Sequence, residues 1–375
     1  MHTTRKDPIL VVLQLTGGND YLNTIVPYND SQYYENRPNL GVPAQDVLAI
    51  DDNFGFNPVL KPIKDLYDQG KVAIINGIGY PNPNRSHFRS MDIWHTCEPD
   101  KIGTEGWLGR AIRDLDPQAE NVLTGVNFGR GLPRAMAVAG VPVASVAVLE
   151  TYGVLTGITR QPQRDQSLDV FAQMYSPAVG TGPVMDYLGQ TGLDALKGAD
   201  ILKAAPGLYQ STVEYGDSPI GENLQGIAKV LLADLGARIF NTQHIGYDTH
   251  ASQGPFHLKL WTDLSRAVTD FFDDLREHDA ADNVLMFVFT EFGRRVRDNG
   301  AGTDHGSGGV AFAIGDPVKG GMYGEYPSLM PEDLLEGDLH FNTDFRGVYS
   351  TLAEKWLGLD PAPIVGGNFE RLDFV

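Results

Sequence analysis

The chain has 375 residues, 42% of them hydrophobic and 21% charged, a globular composition with enough apolar material for a large core. Its 29 Lys and Arg stand against 48 Asp and Glu, and the net charge of -19 argues against nucleic acid or an anionic membrane surface as a partner. The single cysteine, Cys97, excludes an internal disulfide framework and any Cys-x-x-Cys centre, so a metal site here has to use His, Asp, Glu, Asn or Ser.

No apolar run reaches the roughly 18 residues of a membrane span. The opening MHTTRKDPILVVLQL runs into Gly17-Gly18 with no small-residue cleavage site, so it reads as a first strand rather than a signal peptide, and the chain as given reads as cytoplasmic. Ile9 to Leu15 is a continuous apolar run, the pattern of a strand buried on both faces of a parallel sheet. Lys61 to Gln69 reads as a helix and Val72 to Asn76 as a second buried strand. Ser86 is placed to cap a helix through Phe88, Met91 and Trp94. Ala135 to Val148 reads as one or two short strands. The stretch 151–221 is polar and mostly helical, with helices around Asp165 to Tyr175 and Val184 to Ala204, and reads as a lid or insertion. Asn223 to Leu235 is a helix, and a strand begins at Ala237 to Phe240. Phe256, Leu260, Leu264, Ala267, Phe271 and Leu275 recur at helical steps and define a long amphipathic helix. Val284 to Thr290 is the strongest buried strand, Gly309 to Ile314 another, and Asp344 to Leu357 a closing helix. Alternating strands and helices without a linker or repeat indicate one domain over 1–375: an α/β fold with a doubly wound, mostly parallel sheet flanked by helices.

The polar motifs gather after strands. Thr16-Gly17-Gly18-Asn19-Asp20 follows the first, and Asn84-Arg85-Ser86-His87 the second. Gly246-Tyr247-Asp248-Thr249-His250 follows the strand near residue 240; Glu291-Phe292-Gly293-Arg294-Arg295 follows the strongest one; Asp304-His305 lies in the next loop. The carboxyl ends of parallel strands share one edge, where ligands bind, so these motifs can converge. Asp248 with His250, and Asp304 with His305, each offer a carboxylate and an imidazole to one ion, with Asp20, Glu291 and Asn19 as further oxygen donors. A mixed O/N set suits zinc first, then manganese, magnesium or iron. The same pairs also serve as ordinary loop-capping residues. Ser86 is either an N-cap or a nucleophile activated by a metal or base. Arg294 and Arg295 are either solvated arginines or a guanidinium clamp for an oxyanion. His95, His257 and His278 read as packing or helix-surface residues, and His2 as terminal. Gly17-Gly18 belongs to neither dinucleotide nor P-loop pattern, and no G-x-S-x-G marks an α/β-hydrolase.

Together LVVLQLTGGNDYLNTIVPYND, GIGYPNPNRSHFRSMDIWHT, GYDTHASQ, FTEFGRRVRDNGAGTDHGSGG and DFRGVYSTLAEKWLG resemble the DUF1501 family, within the alkaline phosphatase/sulfatase-like superfamily, over nearly the whole chain. The resemblance implies an alkaline phosphatase-like fold and a metallohydrolase of phosphate- or sulfate-type esters. Ser86, with Arg85 and Arg294, would carry the catalysis. Asn19, His87 and Arg295 would hold a small anionic ester. Asp20, Asp248, His250, Glu291, Asp304 and His305 would hold a divalent metal. The chain departs from the superfamily in lacking the modified cysteine of sulfatases and in carrying Glu291-Phe292-Gly293 where an Asp-His-Gly is usual. A degenerate member that binds without hydrolysing is the alternative. The family commonly carries twin-arginine export signals, so the protein would be exported if such a signal had been removed.

Overall fold

The computed structural model describes residues 6–152, 158, 160–175, 182–202 and 205–375. Its strands are β1 (Ile9–Thr16), β2 (Ile25–Val26), β3 (Leu48–Ala49), β4 (Gly55–Phe56), β5 (Val72–Gly79), β6 (Gly125–Phe128), β7 (Ala144–Val146), β8 (Ile239–Ile245), β9 (Val284–Thr290), β10 (Gly309–Ile314), β11 (Gly321–Tyr323) and β12 (Thr343–Asp344). The helices are α1 (Ser31–Asn36), α2 (Lys61–Asp68), α3 (His87–Thr96), α4 (Trp107–Leu115), α5 (Gln161–Tyr175), α6 (Pro183–Leu202), α7 (Ala205–Leu208), α8 (Pro219–Leu232), α9 (Gln253–Glu277), α10 (Phe345–Thr351) and α11 (Pro361–Val365).

The main sheet has the order β11-β5-β10-β9-β1-β8-β6-β7, with β12 beside β5; β2, β4 and β3 form a small separate sheet. β1 is central and pairs in parallel with both β8 and β9. Its apolar run is divided by the strand's period of two. Val11, Leu13 and Leu15 face a core closed by α2, α8 and α9, while Leu10 and Val12 face a second core closed by α3, α4, α10 and α11. Helices therefore cover both faces, and the expected doubly wound, mostly parallel sheet is what the chain forms. The amphipathic helix is α9, whose Trp261, Leu264, Val268, Phe271 and Leu275 are fully buried.

Two features differ from the sequence reading. The strand β6 is one the sequence reading does not contain, because four residues of GVNF carry no periodic signal; over 135–148 one strand, β7, forms, within the expected one or two, after a 3-10 turn at Arg134–Met136. Secondly, β10 runs antiparallel to β5 and to β9. Its amino end, not its carboxyl end, therefore lies at the edge where β1, β5, β8 and β9 finish. Parts of the expected lid over 151–221 (153–157, 159, 176–181 and 203–204), like His2, lie outside the described residues. Among the described residues no helix is long and apolar enough to cross a membrane.

Candidate metal centre

Four loops are locked together at the carboxyl edge before any ligand is considered. Gly17, at φ +125, lets the end of β1 turn against the next loop: a Cβ there would sit 2.3 Å from the Asp248 backbone nitrogen. Gly302 does the same for the loop before β10, where a Cβ would meet the Thr249 carbonyl oxygen at 2.2 Å. Arg294 ties the loops from within. Its Nε donates to Gly18 O at 2.7 Å and Nη1 to Thr303 O at 2.9 Å; Nη2 donates to Gly17 O, to Tyr247 O and, at 2.8 Å, to Asp248 Oδ1. A short antiparallel bridge between Arg294 and His305 completes the frame.

On this frame stand His87, Asp248, His250 and His305. His250 Nε2 and His305 Nε2 are 2.9 Å apart, and each lies 3.1 Å from Asp248 Oδ1. His87 Nε2 lies 3.4 Å from Asp248 Oδ2. The ligand-type atoms of His87, Asp248 and His305 all fall within 4.8 Å of one another. Phe292, buried, backs the His87 and His305 rings at 4.9 Å between centroids.

The other ring nitrogens decide what these four atoms can do. His87 Nδ1 meets Glu291 Oε1 at 2.9 Å, His250 Nδ1 meets Asp304 Oδ1 at 3.0 Å, and His305 Nδ1 meets Arg85 O at 2.8 Å. Carboxylates and carbonyls only accept, so a neutral ring that keeps its Nδ1 bond carries its proton on Nδ1 and donates it there, although His305 Nε2 also lies 3.1 Å from Asp248 Oδ1. In the neutral rings each Nε2 is then left with a lone pair. The Nε2 atoms of His250 and His305 then face each other and Asp248 Oδ1, and that of His87 lies beside Asp248 Oδ2, oxygens which also only accept. His87 Nε2 is buried with no hydrogen-bond partner. Such an arrangement is unfavourable unless something positive sits among the atoms. The hydrogen bond to Glu291, opposed by burial, raises the His87 pKa. Burial pushes the Asp248 carboxyl up, but the hydrogen bonds from Arg294 and His305 and the positive charge of Arg294 together outweigh it and hold the group at about 2, so the carboxylate stays ionised.

A second Asp–His group lies just beneath, and it is built differently. Asp20 is 1% exposed and receives Arg37 on both oxygens, Nη1 to Oδ2 at 2.5 Å and Nη2 to Oδ1 at 2.9 Å, with Gln253 Nε2 also donating to it. Asn19 Oδ1 takes Trp261 Nε1 at 2.9 Å and His257 Nε2 at 3.2 Å. Burial holds His257 at about 4, so it is neutral and donates.

The residues singled out from sequence therefore separate into layers. Asp248 and His305 lie together with His87, expected on the substrate, and His250 flanks Asp248 and His305. Glu291 and Asp304, expected as ligands, stand behind His87 and His250. Glu291 is 0% exposed, with Oε1 also taking the Gly17 amide at 2.8 Å. Asn19 and Asp20 lie in the buried group. Arg294 is 1% exposed, with its nitrogens turned to carbonyls and Asp248. Arg85 and Arg295 stay part-exposed on either side of the buried Asp338: Arg85 Nε donates to Oδ2 at 2.7 Å, and Arg295 Nε lies 3.5 Å from Oδ1. Ser86 occupies the N-cap position of α3 without making a side-chain cap hydrogen bond. It lines, with Asn82, Asn84, Arg85 and His340, a cleft of about 700 Å³. His95, inside α3, hydrogen-bonds Gln14 Oε1 at 2.7 Å, and His278, the C-cap of α9, bonds the carbonyls of Asp274 and Gln210. Arg37, Gln253 and Asp338 were not singled out at all. For His87 a signal existed: like His250 and His305 it directly follows a strand-end loop, whereas His95, His244 and His257 sit inside elements.

Comparison with known proteins gives a family but no activity. Among solved structures the chain is similar to a sulfatase from Pseudoalteromonas (12% identity over 98% of this chain and 71% of that one, TM-score 0.41). It is also similar to the periplasmic domain of Escherichia coli EptC in complex with zinc (8%, 83% and 74%, 0.38). A third is a protein in the alkaline phosphatase superfamily from Vibrio parahaemolyticus (10%, 90% and 68%, 0.33). No curated protein matches. The family model described as "Protein of unknown function (DUF1501)" matches residues 81–362, and the chain belongs to that family.

Proposed function

We propose that His87, Asp248, His250 and His305 hold one divalent ion, zinc first among the candidates, in a hydrolase acting on phosphate- or sulfate-type esters. The observation that carries this reading is the meeting of three imidazole lone pairs with one carboxylate, each imidazole oriented from behind by Glu291, Asp304 or Arg85 O. Three nitrogens and one oxygen suit zinc or another transition ion better than magnesium or calcium, which prefer oxygen. When bound, the ion would polarise an ester oxygen and lower the pKa of a coordinated hydroxyl or water. The protein's own groups supply the rest. Arg85 and Arg295, part-exposed, would take the non-bridging oxygens of the ester. They give a chain of net charge -19 a local attraction for an anion. The cleft beside Ser86 would receive the remainder of the ester. Ser86, next in sequence to His87 and free of any capping bond, is the candidate nucleophile. Arg294 and Glu291 act by positioning.

The test is one variant measured three ways. Ser86→Ala should abolish turnover of p-nitrophenyl phosphate or sulfate while zinc content and melting temperature stay near wild type. Full turnover in that variant removes the covalent role. A wild-type chain that turns over neither ester but binds zinc favours the non-hydrolytic reading.

A further inference from the structure

The group beneath the candidate centre has the composition of a second metal site: a carboxylate, an imidazole and two amides at the same sheet edge. We infer that its cation is a residue of the chain, the Arg37 guanidinium, and that the protein therefore binds a single ion, in the outer group alone. The inference rests on the reading of that outer group as a metal site.

Three observations carry it. First, both Asp20 oxygens are engaged by Arg37, and both partners are buried, with side-chain exposures of 1% and 0%. An ion would have to displace a fully buried guanidinium. Second, the polar atoms meet complementary atoms. His257 and Trp261 donate to Asn19 Oδ1, Gln253 Nε2 donates to Asp20, and Thr249 and Thr303 hydroxyls donate to Gln253 Oε1. Among the described residues none of these side chains has an unpartnered buried atom, whereas His87 Nε2 in the outer group does. Third, Arg37 does more than neutralise Asp20. Its Nε donates to Val296 O at 2.6 Å and its Nη2 to Arg295 O at 3.0 Å. It thereby fixes the loop leaving β9, whose backbone reaches Asp304 through the Arg295 amide at 3.0 Å from Asp304 O. A fixed organic cation thus holds one end of the loop that presents Asp304 and His305. Arg37 is a positioning residue in this scheme.

The experiment titrates the full metal-free chain with cobalt(II), followed by visible absorbance, and separately measures zinc by elemental analysis after loading and dialysis. The expected result is saturation at one equivalent. Asp20→Asn should retain that equivalent, and His250→Ala should lose it. Arg37→Lys, which keeps a cation, serves as the second variant if Asp20→Asn does not fold, and it too should bind one equivalent. Saturation at two equivalents, or loss of the ion in folded Asp20→Asn, overturns the single-ion inference and leaves the outer metal site standing. No binding at all in the wild type removes the metal reading itself.

Discussion

Two Asp–His groups share one edge of one sheet, and they differ in how donors and acceptors are matched. In the inner group Arg37, Gln253, His257 and Trp261 each present hydrogens to oxygens of Asp20 or Asn19. In the outer group the protons of His87, His250 and His305 face backward, and what faces inward accepts only. Composition does not separate the two; the tautomer imposed from behind does. An imidazole beside a carboxylate is a structural hydrogen bond when its proton points to the carboxylate, and a ligand when its proton is held elsewhere.

The contrast breaks most visibly if His250 or His305 is removed from the outer group. His250→Ala and His305→Ala should each lose bound zinc and any esterase turnover, by 100-fold or more. Zinc should raise the melting temperature of the wild type and not of the variants, by the ordinary linkage of binding to stability. An equal thermal response in the variants would place the ion elsewhere. The inner group should fail in the opposite sense, through stability. Arg37→Ala leaves a buried carboxylate without its cation, a loss of about 3–5 kcal/mol in urea unfolding. A change under about 1 kcal/mol would mean that Asp20 finds another partner.

Glu291→Gln sharpens the comparison on the outer side. The amide can still accept the His87 Nδ1 proton through its oxygen, but without charge, so zinc affinity should fall by about 10–100-fold with the fold intact. An unchanged affinity would detach Glu291 from the site. The smallest effect is a pH dependence shared by the buried histidines. Burial holds His95, His244 and His257 at about 4, below the unfolded value near 6.5. The folded state then binds fewer protons than the unfolded one. Their contribution is complete above about pH 6.5 and is lost as pH falls from there through 4. The melting temperature of the metal-free chain should decline across that window; a flat profile would contradict the burial of these rings.

Much of the frame was legible in the amino-acid sequence, because apolar runs such as ILVVLQL and VLMFVFT have one physical reading. The convergence of the loops followed from the strand-end rule. The direction of β10 did not, since a strand's pattern is the same read either way, and the Asp304-His305 loop reaches the edge only because the strand after it is antiparallel. The layering of the site was also hidden. Spacing says that Asp248 and His250 are near each other, but not that Glu291 and Asp304 stand behind rings rather than among the ligands. Arg37 lies in SQYYENRPNL, a polar stretch whose sequence carries no hint that Asp20 is its partner.

The closing of loops over long chain distances has a kinetic consequence. His87 and the Glu291 that orients it are 204 residues apart, and the Asp248–His305 pair spans 57. Bringing such segments together costs chain entropy that one ion–ligand bond at a time cannot offset, so the binding atoms converge only after the sheet has assembled. A metal that meets its site so late stabilises the native state and not the transition state leading to it. Its effect falls on the rate of unfolding, while refolding proceeds at the same pace with or without it. The ion in this protein would be a latch fitted to a finished structure, unlike the nucleating metal of small domains whose ligands are neighbours in sequence.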